Sequence, residues 1–430
     1  MSTFFYSCLI VLLSAITDTN SDWPQWRGPK RNGQVPMTSF GPNLDESNLV
    51  RLWHVDLGPS YSGPIVVGDL VYTTETRDEK YEIVYAFNRQ TGEKVWEAKW
   101  EGAMKVPFFA RRNGDWIRST PAYDDGLLYV AGMKDVLVCL DARKGTEVWK
   151  LDFPTRFRSP NPDFGFVCSP LVDGNHVYVQ AGAAVFKLNK RDGNVIWKSA
   201  EDAGGMWGSA FSSPMLVEIH GVRQLVVQTR AELMGIDDHS GKILWRKEIP
   251  SFRGMNILTP TIVNNQIFTS SYGGQSFMFE LDLLEGVWQI KEKWQNNIQG
   301  YMSSPVVVGD SIYLHLRNKR FCCLDWKSGR ENWRSAPSAE YASLVASGNQ
   351  ILSLNHDGKL LLIKATPEGF EVEAERTISG QETWAHLAVS GNQLFIRELK
   401  GLAVYELKSA QESPDSQAEA PAKSSKKSDR

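Results

Sequence analysis

The sequence predicts an all-β fold: an eight-bladed β-propeller of four-stranded antiparallel blades, its ring closed by an N-terminal strand. Three observations carry this expectation. Six related pieces recur: QTGEKVW (90–96), RKGTEVW (143–149), RDGNVIW (191–197), HSGKILW (239–245), LEGVWQI (284–290) and KSGRENW (327–333). Five of them place Trp four residues after Gly. The spacings from Trp96 through Trp149, Trp197 and Trp245 to Trp333 are 53, 48, 48 and 88 residues, the last being two repeats with the degenerate 284–290 copy between them. A second marker runs in parallel, because Pro64, Pro121, Pro170, Pro214, Pro260 and Pro305 each follow a small residue and open a strand-like run. The third observation is the content of each unit, four short alternating runs divided by turn signals. That content, at this period, describes propeller blades.

The chain begins MSTFFYSCLIVLLSAITDTN, with an apolar run at 4–16. This is too short to span a bilayer and suits the core of an export signal. Residues 1–20 are read as that signal, with Ala15 and Thr17 near the cleavage point; uncleaved, the run is an anchor. Residues 21–48 form a leader containing WPQWRGPKRNG (23–33). LVRLWHVDLG (49–58) resembles the last strand of a unit, with Trp53 aligned to Trp96, but no Gly stands four residues before it. A strand that no hairpin turn leads into fits ring closure, since the eighth unit stops after its third strand at GLAVYELK (401–408). Closure removes an exposed sheet edge. Units start near Tyr61, Ser119, Cys168, Ser212, Leu258, Met302, Tyr341 and Trp384, so one propeller spans 49–408.

The second unit shows the shared grammar: TPAYDD, LLYVAG, VLVCLD and TEVWKLDF are divided by DG, a short polar link and a KG turn. Gly permits the positive φ of the turn between third and fourth strands. The Asp or Asn ahead of it bonds the turn's backbone. Each Trp buries its ring against the next blade, which is worth about 2–3 kcal/mol. Residues 409–430 have no aromatic and no periodicity, and read as a disordered tail.

Ala86-Phe87-Asn88 leading to Trp96, Cys139-Leu140-Asp141 to Trp149, Cys323-Leu324-Asp325 to Trp333, and Ile236-Asp237 to Gly241 resemble the tryptophan-docking repeat of the pyrroloquinoline quinone (PQQ) family of propellers. The resemblance covers about 49–408. There is no WD dipeptide closing each third strand and no paired-Gly kelch mark. The leader also looks like that of PQQ-like propellers from exported bacterial proteins. The family includes quinoprotein dehydrogenases and non-enzymatic relatives such as the outer-membrane assembly lipoprotein of the β-barrel machinery. The resemblance therefore implies an exported binding or scaffold module, with two alternatives, a PQQ-dependent oxidoreductase and an outer-membrane protein assembly scaffold. With the export signal, it implies a periplasmic or secreted protein with no transmembrane span in the mature chain. A quinoprotein enzyme would need Ca²⁺ held by carboxylate and amide oxygens, an Asp base, an aromatic floor and often a vicinal disulfide. No cluster in the sequence supplies the full set. PQQ with Ca²⁺ is thus an implication of the resemblance alone, and no metal site is assigned.

A net charge of −3 leaves no electrostatic footprint for nucleic acid. The seven His are scattered singly, and neither a phosphate loop nor a nucleophile elbow appears. Beyond Cys8 in the signal, four cysteines in so long a chain are not a disulfide scaffold. Cys322 and Cys323 are adjacent, but counting back six residues from Gly329 puts Cys323 at the repeat's small-residue position, as Cys139 is for Gly145. The pair then lies mid-strand, with side chains on opposite faces.

Chemistry is expected where the links between blades gather around the central channel. The two longest, 98–121 and 152–170, carry Arg111, Arg112, Arg118, Arg156 and Arg158; Arg253 lies in a later one. Trp116, Phe164, Phe166, Trp207 and Trp384 add aromatics. Arg forks onto carboxylates and stacks on rings, so such a mouth suits a flat anionic ligand. The candidate ligand-binding residues are Arg111, Arg112, Arg118, Arg158, Asn161, Asp163, Trp207 and Arg253. Two readings of them stay open. The arginines also fit a solvated surface paired with Asp115 and Asp163, and Asn161 and Asp163 also fit a turn. The partners expected are a small anionic ligand or envelope proteins.

Overall fold

A computed structural model describes residues 22–36, 39–202 and 211–408. The expected export signal (1–20), the expected tail (409–430) and Trp207 lie outside the described residues. Eight four-stranded antiparallel sheets form the ring. Blade two is typical, with strands Ala122–Asp124, Leu127–Gly132, Val136–Asp141 and Glu147–Asp152. The first strands begin a few residues after the unit starts read from the sequence, because the residues before each proline form an extended approach to the axis. In blade eight, Leu49–Asp56 pairs with Gly401–Leu407, from Leu49 opposite Leu407 to Asp56 opposite Gly401. The N-terminal strand thus closes the ring. No helix among the described residues is long and apolar enough to cross a membrane.

The repeat's residues hold neighbouring blades together. Trp96 lies opposite Ala86, and a bulge follows at once between Ala86 and Phe87. The same offset pairs Cys139 with Trp149 and Cys323 with Trp333. The indole N–H of Trp96 donates to the Ala142 carbonyl of the next blade at 2.9 Å. Its ring covers Gly145, where φ is +71° and an added Cβ would come within 2.5 Å of the ring. Only Gly meets both demands. Trp53, Trp149 and Trp197 donate in the same way to the Arg89, Lys190 and Asp238 carbonyls.

Blade five departs from the expected copy at 284–290. Gly286 there sits in a two-residue turn between Ser276–Leu284 and Val287–Asn296, and Trp288 is half-buried beside His220. The docking residue is instead Trp294, opposite Met278, donating to the Trp326 carbonyl at 2.9 Å and covering Gly329. Blade five therefore lacks the wide turn, and Trp245 of blade four has no turn carbonyl to meet. It donates to Gln224 Oε1 of its own blade at 2.6 Å.

Cys322 and Cys323 are both buried, free thiols on the strand Phe321–Asp325. Cys322 packs in the core shared with blade five, and Cys323 in the core shared with blade seven. The strand sends them to opposite faces.

Candidate binding site

The proline marker organises the axis. Proline fixes its own φ and forces the preceding residue into an extended conformation. In an extended run, residues three and one before each proline point the same way. Here they point to the axis. An outer tier of Tyr61, Arg118, Val167, Phe211, Ile257 and Met302, and an inner tier of Thr120, Ser169, Ser213, Thr259 and Ser304, wall a cavity of about 220 Å³. Blades seven and eight have no proline but continue the phase with Tyr341 and Ser343, then Trp384 and His386. Gly63 occupies the inner place of blade one.

The inner hydroxyls have a structural duty. The extended residues just before the first strands carry backbone N–H groups that no strand partner meets, and each must be satisfied. The N–H of Gly63 donates to Thr120 Oγ1 (3.1 Å), that of Thr120 to Ser169 Oγ (3.1 Å), that of Ser169 to Ser213 Oγ (2.9 Å), and that of Ser213 to Thr259 Oγ1 (3.0 Å). The small residue before proline is a hydroxyl because it stitches one blade to the next.

The outer tier is aromatic on one side. Tyr341 and Trp384 stack at 4.1 Å with parallel planes, Tyr61 follows at 4.7 Å from Trp384, and Tyr301 lies 5.9 Å from Tyr341. Phe164 and Phe211, 5.5 Å apart, line another part of the wall. The floor comes from the leader, which crosses the far end of the axis. Trp23 bridges to Val66 of blade one, Gln34 to Ala346 of blade seven, and Arg31 donates to the Ser169 and Pro170 carbonyls of blade three. Trp26, on the cavity wall, closes the channel into a cup. His386 stands edge-on to it at 6.2 Å, donates from Nδ1 to the Leu387 carbonyl, and is lowered by burial to a pKa of about 3, so it is neutral at physiological pH.

Arg118 is the cation of the wall. Its Nε and Nη2 donate to the Trp116 and Gly114 carbonyls at 3.1 and 2.8 Å. It forms no ion pair among the described residues. Burial lowers its pKa to about 10 while Tyr61 and Asp115 oppose the fall, so it is charged at neutral pH.

The other candidates lie outside the wall. Arg111 and Arg112 are exposed on a 3-10 turn, Phe108–Asn113, and Arg112 reaches Glu340 in the link between blades six and seven at 2.9 Å. So exposed a pair contributes at most about 1 kcal/mol. Arg158 is exposed at the end of the short helix Phe153–Phe157, and Arg253 is exposed with its guanidinium over Phe252. Asn161 is exposed; Asp163 is half-buried, with burial raising its carboxyl. Phe164 and Trp384 belong to the wall, whereas Phe166 is core. The sequence reading missed Trp26, Tyr61, Tyr301, Tyr341 and His386. Counting back one and then three residues from each proline would have found Tyr61, and the same phase in blades seven and eight the last two.

Among the described residues the cup wall carries no Asp, Glu or Cys, and no group of three metal-ligating side chains occurs. This donor set does not fit the calcium site that a quinone cofactor would imply, and no step is derived through one.

The family model described as outer membrane protein assembly factor BamB matches residues 80–335, more than half of the chain. A curated relative of that name from Yersinia pestis is 24% identical over 263 residues, covering 56% of this chain and 64% of its own length. The chain thus spans less than two thirds of that relative. Tetrathionate hydrolase from Acidithiobacillus ferrooxidans is 24% identical over 248 residues, with 57% and 41% covered. Among solved structures, BamB from Moraxella catarrhalis superposes with a TM-score of 0.61 at 15% identity, covering 84% of this chain and 98% of that one. Quinohemoprotein alcohol dehydrogenase from Comamonas testosteroni gives 0.64 at 12% identity, covering 91% and 81%. At these identities the solved structures show a common fold.

Proposed function

Because the chain belongs to the outer membrane protein assembly factor BamB family of PQQ-like propellers, we propose that it is an exported binding module, periplasmic or secreted, whose axial cup holds a small flat anionic ligand. Arg118 carries this reading. It is a half-buried cation beside stacked aromatics, with carbonyl partners and no carboxylate paired with it among the described residues. A partly desolvated charge that Asp115 offsets only at a distance is costly, and an incoming anion relieves that cost. In this reading Arg111, Arg112, Arg158 and Arg253 draw anions toward the mouth, and Asn161, Asp163 and Trp207 belong to the links that frame it. Among the described residues no carboxylate base stands in the cup to support the oxidoreductase alternative.

The test uses 2-naphthoate, a flat aromatic monoanion, followed by quenching of tryptophan fluorescence. Arg118→Gln and Trp384→Ala should each weaken binding at least tenfold, about 1.4 kcal/mol. Equal affinity in both variants and the parent would sink the cup as the site.

One observation favours the assembly-scaffold alternative. Phe108 is 80% exposed on the rim turn, edge-on to Phe109, which packs on Phe164. Exposed aromatics at a rim suit a protein partner. A photo-crosslinking phenylalanine analogue at position 108 should trap an outer-membrane assembly protein in intact cells. Labelling no stronger than from exposed Glu218 would discard this reading.

A further inference from the structure

The cup is built on an eightfold plan, and its departures from that plan fall together. Thr120, Ser169, Ser213 and Thr259 each accept the N–H of the preceding blade, a duty that needs only a hydroxyl. Blade eight instead offers a neutral imidazole, His386, in the inner tier. Blade two offers a cation, Arg118, in an outer tier otherwise filled by Tyr, Trp, Phe and aliphatic side chains. Between them stand Tyr61 and Trp384. Ring assembly explains none of these choices, since blades three to five manage with apolar and hydroxyl residues at the same places. Only Gly63 has a steric reason, because a Cβ there would come 2.7 Å from the His386 carbonyl oxygen.

Charge points the same way. Arg27 and Arg31 are 2% and 3% exposed, and their guanidinium carbons lie 5.4 and 5.5 Å from the centre of the Trp26 ring. Trp26 faces the cavity and these two arginines do not. Arg27 donates to the Pro305 and Asn32 carbonyls; Arg31 donates to those of Ser169 and Pro170 and to Gln25 Oε1. Both Nε atoms are buried without a partner. Asp115 stands near enough to Arg118 to act on it electrostatically, but among the described residues no carboxylate pairs with any of the three arginines. One guanidinium group, Arg118, therefore lines a small cavity and two more lie behind its Trp26 floor; among the described residues its wall has no acid, and the nearest wall contact to one is the Tyr61 hydroxyl, which donates to exposed Glu382 at 2.9 Å. In a low-dielectric setting such charge raises the potential inside the cavity, attracts an anion and repels a metal cation. At about 220 Å³ the cavity is smaller than drug-sized sites of roughly 300–1,000 Å³, which suits one or two fused rings.

We infer that the cup binds a planar aromatic carboxylate directly, without a divalent cation. Arg118 receives the carboxylate on the side of blades eight, one and two. Arg27 and Arg31 of the leader act through the Trp26 floor as positioning residues that select for negative charge. This inference rests on the cup being the ligand site, and its test separates the two ideas. The intact protein is titrated calorimetrically with naphthalene-2,6-dicarboxylate, 2-naphthoate and neutral 2-naphthamide, each in EDTA and in Ca²⁺. Both carboxylates should bind at least tenfold tighter than the amide, equally in EDTA and Ca²⁺. Arg31→Gln should cut the carboxylate-to-amide ratio at least threefold while amide binding persists, and Arg31→Lys should keep the ratio. A merely structural role for Arg31 would lower both affinities together. If Arg31→Gln does not fold, the wild-type ratio and its indifference to calcium still decide the matter. Amide binding as tight as naphthoate, or carboxylate binding that needs Ca²⁺, overturns the inference while leaving the cup a site. Binding of none of the three overturns both.

Discussion

Glu82 and Asp135 clasp successive blades with buried carboxylates. Glu82, fully buried, accepts the Met133 N–H of blade two at 2.6 Å and the Trp100 indole N–H at 2.7 Å. Asp135 accepts the Gly182 N–H of blade three at 2.6 Å. Burial pushes both carboxyls up to about 7, against the hydrogen bonds that favour the anion. An acid raised on folding is held protonated by the folded state. Its contribution is therefore fully present below the ordinary carboxylate range and is lost as pH rises through about 7. His386 and His315, which burial lowers to about 3 and about 4, act oppositely in the same window. The difference between wild type and variant isolates Glu82. Urea unfolding at pH 5 and pH 8 should show that Glu82→Gln makes stability rise more, or fall less, from pH 5 to pH 8 than wild type does. An identical pH difference in the two proteins would refute the assignment. At this scale the sequence was partly legible. Cys322 and Cys323 followed from register alone, and Arg118 from its place in a long link. Trp26 did not, because nothing local tells a leader residue that it will face an axis formed by distant blades.

The docking strand is the element on which the ring depends. Its signature combines Gly at positive φ, a residue opposite Trp that lies beneath its ring, and a bulge between them. Six pieces of the sequence carry it, five with Trp four residues after Gly, and in blade five the degenerate 284–290 piece does not hold the docking tryptophan. Its two-residue turn lets the strands pair further, so that Trp294 lies eight residues after Gly286 instead of four. Four extra residues is an even number, which keeps the ring on the same face. A fixed Gly-to-Trp spacing cannot see this. Trp294→Ala should cost about 3–5 kcal/mol by chemical denaturation, and Trp288→Ala, half-buried on the hairpin, less than about 1 kcal/mol. The reverse order would restore the 284–290 piece as the docking motif.

For the whole molecule, closure and plugging are separate events made by neighbouring segments. Leu49–Asp56 satisfies the edge of Gly401–Leu407 and turns an open array into a ring. The leader before it pairs with inner strands of blades one and seven and turns a tunnel into a cup. Blade number, strand content, turn chemistry and the closing strand were set by the sequence itself, because each depends on period-2 alternation, glycine φ and proline geometry, all of which act within a few residues. The wall of the cup, the floor under it, and the placing of Arg118 on that wall with Arg27 and Arg31 behind Trp26 were decided only by the tertiary structure. Those contacts join residues up to hundreds of positions apart, and what makes them meet is the curvature of eight blades packed face to face, a property of the closed ring that no single repeat contains.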